Sequence, residues 1–177
     1  MLALSTHDEP RPLVVLGDDA NAYARLQSLL LLAGGPASLV AGDHLGERVP
    51  LPFKRARGVE ALRAPSRAGR AIADQLARVG LARQQHAALR TEQRTWLRAL
   101  DDGEFDEAIV AFVRGDDIIV VANFSNDAQR TRAFAFAYDG TTILHDVLTR
   151  EPAPCALVDG ALMVTLEPYE VRVLKLH

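Results

Sequence analysis

Cysteine, lysine and aromatic side chains are all scarce in this sequence, and each shortage excludes something. Cys155 is the only cysteine, so no internal disulfide can staple the fold, and a reducing cytoplasm is the expected compartment. Only two of the twenty basic residues are lysine; the other eighteen are arginine, a bias that fits a GC-rich coding sequence better than a recognition device. Aromatics make up 6% of the chain, and none stands between Lys54 and Arg94, the most basic stretch. Base stacking needs aromatics interleaved with cations, so a nucleic-acid partner is not expected. No apolar run approaches the ~18 to 20 residues of a membrane span. Met1-Leu2-Ala3-Leu4 is too short for a signal peptide and has no basic n-region. There is no phosphate loop and no dinucleotide fingerprint. The five histidines, at 7, 44, 86, 145 and 177, show no metal-ligand spacing. Neither a metal nor a cofactor is expected.

What is present is globular. Hydrophobic residues make up 49% of the chain and charged residues 24%, enough apolar material to bury a core. The net charge of −3 is unevenly spread: −3 over residues 1 to 53, +8 over 54 to 98 and −8 over 99 to 177. The acidic last part can neutralise the basic middle internally.

The two halves differ in texture. Residues 1 to about 90 read as strand, helix, strand, helix. Leu2-Ala3-Leu4 reads as the end of a short buried strand. Asp18 and Asp19 can cap a helix, in which Ala22, Leu26, Leu29, Leu30 and Ala33 share one face. Gly34-Gly35-Pro36 ends it. Ala37 to Ala41 is short and apolar, as a parallel strand is, and Gly42 to Gly46 follows as a loop. From Glu47 to Pro65 the chain is rich in Pro and Arg and reads as irregular. Ser66 then caps a helix carrying Ile72, Leu76 and Val79 towards Leu89.

After about Thr91 the period changes from 3.6 to 2. Ala108 to Val113 and Ile118 to Phe124 flank Arg114-Gly115-Asp116-Asp117, a hairpin signal. Arg130 to Tyr138 alternates. Ile143-Leu144, Leu162 to Leu166 and Val171 to Leu176 complete a set of short strands, as in an antiparallel sandwich. Cys155, between Pro154 and Ala156, reads as an inert loop thiol. The expected fold class is an α/β barrel fragment of two βα units, residues 1–92, followed by an all-β antiparallel sandwich, residues 93–177. Two βα units cannot cover both faces of a sheet. The sandwich should therefore be the sturdier part, and unpaired edges should favour self-association or docking of a missing barrel portion.

The stretch Thr6-His7-Asp8-Glu9-Pro10-Arg11 stands directly behind the first apolar run. Taken by itself, Asp8 fits a turn, because Asp accepts bonds from the backbone that follows it, and His7 fits a loop histidine. The order of motifs along the whole chain points elsewhere. THDEPR, the run Leu29 to Leu32 with Gly34-Gly35-Pro36, Leu39-Val40-Ala41-Gly42-Asp43-His44-Leu45-Gly46, Leu81 to Arg90, Ile118 to Ser125 and Leu166 to Leu174 come in one sequence. This order resembles the C-terminal third of the α-amylase superfamily of glycoside hydrolases, with the neopullulanase, maltogenic amylase and α-glucosidase branches most similar. The resemblance implies the last two units of a (β/α)8 barrel plus a C-terminal β-sandwich. Thr6 stands where the family has Asn or Ser, His44 where it usually has Glu, and Leu39 to Ala41 where it has aromatics.

The resemblance implies that Asp8 is the third catalytic carboxylate, holding sugar hydroxyls and favouring an oxocarbenium-like transition state. His7, Arg11 and Asp43 would line the substrate site beside it. Retaining hydrolysis needs two further carboxyl groups ~5 to 5.5 Å apart as nucleophile and acid/base. The resemblance places these on barrel strands four and five, which this chain does not contain. The implied partner is an α-glucan or maltooligosaccharide, and the chain alone is expected to be catalytically incomplete. The alternative is a non-catalytic carbohydrate-binding or protein-interaction module, suggested by Trp96, Phe112, Phe124, Phe134, Phe136, Tyr138 and Tyr169 on the β half.

Overall fold

The computed structural model describes residues 3–4, 9–48, 66–100, 108–126, 130–137 and 142–176. A single turn of helix, α1 (Pro12–Val15), opens with proline, whose fixed φ suits a first helical position. Helix α2 (Ala20–Leu32) is capped by Asp19, whose carboxylate accepts from the Asn21 and Ala22 amides at 2.9 Å. Helix α3 (Arg67–Gln85) is capped by Ser66, which accepts from the Gly69 amide at 3.0 Å. It buries Ile72, Leu76, Val79 and Ala82, spaced three and four apart, and ends at His86 before a 3-10 turn over Ala87–Arg90. The buried residues of α2 differ from the expected face. Tyr23, Gln27, Ser28 and Leu32 are inside, and Leu26, Leu29 and Leu30 are half-buried or buried less completely. The reason is packing on several sides: α1 and α3 meet α2 around Tyr23 and Ala24, and the sheet meets it at Leu32.

The β half forms one eight-stranded antiparallel sheet: β1 (Thr95–Trp96), β2 (Ile109–Arg114), β3 (Ile118–Asn123), β4 (Arg130–Ala135), β5 (Thr142–Asp146), β6 (Pro152–Val158), β7 (Ala161–Leu166) and β8 (Val171–Lys175). Their order is β1-β2-β3-β8-β5-β6-β7-β4. The two ends of that order meet. Ala99 bridges Phe134, the Leu100 amide donates to the Ala133 carbonyl at 2.9 Å, and the Ala135 amide donates to the Arg98 carbonyl at 2.9 Å.

Alternation along the strands sorts the side chains into two cores. Ile119 and Val121 face an inner core with Ile109, Phe134, Leu157, Val164 and Leu174. Ile118, Val120 and Ala122 face outward onto Leu32, Val79 and Leu89 of the helical half. Every residue of β3 is therefore buried, and its near-continuous apolar run follows from being covered on both faces.

Three expectations are corrected. Cys155 is not in a loop: it lies in β6, 7% exposed, within the inner core. Pro152 and Pro154 disguise β6 as a loop, because proline cannot donate to a ladder; nevertheless β6 pairs with β5 on one side and β7 on the other. The second correction concerns the segment from Ala37 to Ala41. It carries one bridge residue, at Ala37, and no strand. Among the described residues the strand pairings are antiparallel, and none of the strands includes this segment. Thirdly, Ala3 and Leu4, expected at the end of a buried strand, are exposed and belong to no strand.

Candidate functional site

His7 and Asp8 lie outside the described residues. Arg11 and Asp43 are described, and the fold brings them together. Arg11 leads directly into α1, and Asp43 opens a 3-10 turn over Asp43–Leu45. The Arg11 guanidinium donates from Nη1 to Asp43 Oδ1 at 2.7 Å and from Nη2 to the Ala41 carbonyl at 3.0 Å. Both side chains are 3% exposed, so this is a buried ion pair and not a surface one. Gly46 closes the turn at φ +68°, and a Cβ there would press on Ile72 and Leu13, which fixes the turn against α3.

The Tyr23 side chain is buried beside this pair. Its hydroxyl has no hydrogen-bond partner, and burial first, then the Asp43 charge, pushes its pKa well above the ordinary phenol value. Tyr23 therefore stays neutral, an electrically quiet wall beside the ion pair. Sequence reasoning missed it, because an isolated tyrosine in a helix carries no pattern. His44, next to Asp43, is exposed.

A hollow of about 350 Å³ adjoins the Arg11 segment, lined by Leu4, Glu9, Pro10, Pro12, Leu16 and Leu26 among others. It is largely apolar, and among the described residues Glu9 is the carboxylate that lines it. Acid/base hydrolysis of a glycoside needs two carboxyl groups, and the described lining supplies one. Among the described residues there is no cluster of three His, Cys, Asp or Glu side chains able to hold a metal ion. No helix among them is long and apolar enough to cross a membrane.

At the end of α2 three arginines collect backbone carbonyls. Arg83 donates to the Leu31 and Gly35 carbonyls, Arg94 to Ala33, and Arg114 to Leu32, Ala88 and Thr91. The last carbonyls of a helix have no partner within it and carry the negative end of its dipole. Arg114 is fully buried, and burial pulls its pKa down, with Arg83 and Arg94 adding to the effect. Gly34 sits at φ +100°, and a Cβ there would collide with the Arg114 guanidinium. A strand-end arginine thus ties the sheet to α2 and to the 3-10 turn that follows α3.

No protein-family model matches the sequence, and a comparison with curated proteins finds no match. Solved structures do match, over nearly the whole chain. A variant of AmyP in complex with maltotriose is similar at a TM-score of 0.73 and 18% identity, over 98% of this chain and 40% of that one. Ttha1563 from Thermus thermophilus is similar at 0.71 and 25% identity, over 98% of this chain and 35% of that one. The maltogenic α-amylase AmyB from Thermotoga neapolitana is similar at 0.72 and 13% identity, over 98% and 40%. The fold is one that α-amylase-family enzymes contain, in agreement with the resemblance seen in the sequence. The chain spans 35% to 40% of the length of these three structures.

Proposed function

We propose that this chain is the C-terminal segment of an α-glucan-active glycosidase. Residues 1–92 form the end of its (β/α)8 barrel, and residues 93–177 its β-sandwich. Asp8 is the transition-state carboxylate and His7 a sugar-hydroxyl partner. Arg11 and Asp43 act as positioning residues: their buried pair holds the THDEPR segment against the Gly42–Gly46 turn. The complete enzyme would cleave or transfer α-glucosidic bonds with retention, using a nucleophile and an acid/base from earlier barrel strands. Without those two carboxyl groups this chain binds sugar at most and does not hydrolyse it.

The observation that carries the reading is the meeting of two sequence motifs, 32 residues apart, through one ion pair, in a fold shared with α-amylase-family enzymes. A solved relative in that fold holds maltotriose, which supports a maltooligosaccharide as ligand. The test is turnover of maltotriose, pullulan and p-nitrophenyl glucoside by the pure chain. No turnover is expected. Turnover abolished by Asp8→Ala would overturn the claim of catalytic incompleteness.

A second reading, a non-catalytic carbohydrate-binding module, draws support from Trp96. It is 45% exposed on an edge strand, meets Phe112 edge-on at 5.0 Å, and has the Arg94 guanidinium 5.8 Å from its ring. Calorimetry with maltodextrin on the chain and on Trp96→Ala tests it. Equal heats from both would remove Trp96 as a platform.

A further inference from the structure

A cleft of about 430 Å³ lies where α2, α3, the turn after β5 and the start of β8 converge. Arg25 comes from α2, Gln75 and Arg78 from α3, Thr149 from the turn after β5, and Glu170 from the residue before β8. It is separate from the hollow beside Arg11 and shares no lining residue with it. Its volume falls within the range of small-molecule pockets, about 300 to 1,000 Å³.

The polar groups around it are held in place from behind. Arg25 Nη1 donates to the Pro168 carbonyl at 2.6 Å. Glu170 accepts from the Glu167 amide at 2.8 Å and pairs with Arg172 at 2.5 Å. The Gln75 amide donates to Ser28 Oγ at 3.4 Å and accepts from Arg78 at 2.8 Å. Such second-line bonds fix side chains before a ligand arrives and lower the ordering cost of binding.

Charge decides what class of ligand suits the cleft. Burial lowers the pKa of Arg25, and the nearby Glu170 and Asp19 charges oppose that shift. Asp146 and Glu170 are both paired with Arg172. The lining itself holds two cations, Arg25 and Arg78, and two carboxylates, Asp146 and Glu170, so no strong field of one sign marks it for a phosphate. What remains is a set of planar donors and acceptors, the guanidinium, amide and carboxylate groups, beside the apolar surface of Leu148 and Val171. A neutral polyhydroxylated ring presents that same mixture: hydroxyls that both donate and accept, and an apolar C–H face.

We propose that this cleft is a second carbohydrate-binding site, between the helical half and the sheet, that takes a neutral oligosaccharide. Only the choice of probe rests on the α-glucan reading; the cleft chemistry does not. The test is a titration of the full 177-residue chain with maltotriose, followed by amide chemical shifts. Saturable shifts are expected at Gln75, Arg78, Thr149 and Val171. Gln75→Ala and Arg78→Ala should weaken the affinity read there about tenfold, the loss of one or two direct hydrogen bonds. Thr149→Trp fills the cleft from an exposed position and should abolish those shifts while the rest of the spectrum stays folded. Absence of saturable shifts at these residues overturns the inference. Shifts near Arg11 and Asp43 are read independently and report on the proposed sugar site, so the two claims fail separately.

Discussion

Arg11 and Asp43 are bonded at 2.7 Å with 3% of each side chain exposed, and they join the start of α1 to the 3-10 turn at Asp43–Leu45. A buried pair stripped of one partner leaves a charge with nowhere to go. Asp43→Ala should therefore destabilise the chain by about 3 to 5 kcal/mol in urea melts, and Arg11→Met with Asp43→Leu should recover most of that loss. If the single and double variants were equally destabilised, the pair would not be what couples these segments.

Arg114 makes the corresponding connection at the far end of α2. Replacing it with leucine takes the arginine donor from the Leu32 carbonyl, while the Ala88 and Thr91 carbonyls keep the Thr91 and Gly35 amides, so a loss of about 1 to 3 kcal/mol is expected. Amide exchange should speed up at the end of α2 and around Ala87–Arg90 more than in β5 to β7. Uniform acceleration across the chain would contradict a local role.

Asp146 is the clearest source of pH dependence. Burial raises its pKa, opposed by the Leu148 amide, Arg172 and the Val173 amide. A carboxyl group with a raised folded-state pKa holds its proton more tightly when folded, so its contribution is greatest below the ordinary carboxylate value and falls as pH rises through the elevated one. The stability difference between Asp146→Asn and the parent should then shift in favour of Asn as pH rises from about 4 to about 7, measured by urea titration. A shift in the opposite direction would show that the hydrogen bonds outweigh burial.

Cys155 is 7% exposed, and burial pushes its thiol up to about 11. The thiolate is the reactive form. An aromatic disulfide reagent at mildly alkaline pH should leave the native chain almost unmodified and label it rapidly in concentrated urea. Fast labelling of the native chain would mean that β6 opens readily.

Much of this was legible in the sequence, for local reasons. Asp19 and Ser66 cap helices because their side chains reach amides two or three residues on, a relation that spacing alone reveals. Arg114-Gly115-Asp116-Asp117 separates β2 from β3 for a similar reason, with Gly115 at φ +60°. The misses are non-local. β6 was hidden by two prolines, and its strand character comes from neighbours on both sides. Ala37 to Ala41 has the composition of a strand, yet only Ala37 carries a bridge. Arg11 and Asp43 were both recognisable as candidates, but their contact spans 32 residues and depends on how α1 and the Gly42–Gly46 turn pack on α3. The arginines at the end of α2 were not singled out, because nothing in the sequence shows which carbonyls a guanidinium will reach.

The central claim, that this chain is a segment of a larger α-glucan enzyme, is tested most directly by the intact mass of the native product in its source cells. The account predicts a polypeptide several tens of kilodaltons heavier than the 19.3 kDa of these 177 residues. A native product at 19.3 kDa would contradict it and turn the search for function from hydrolysis to binding.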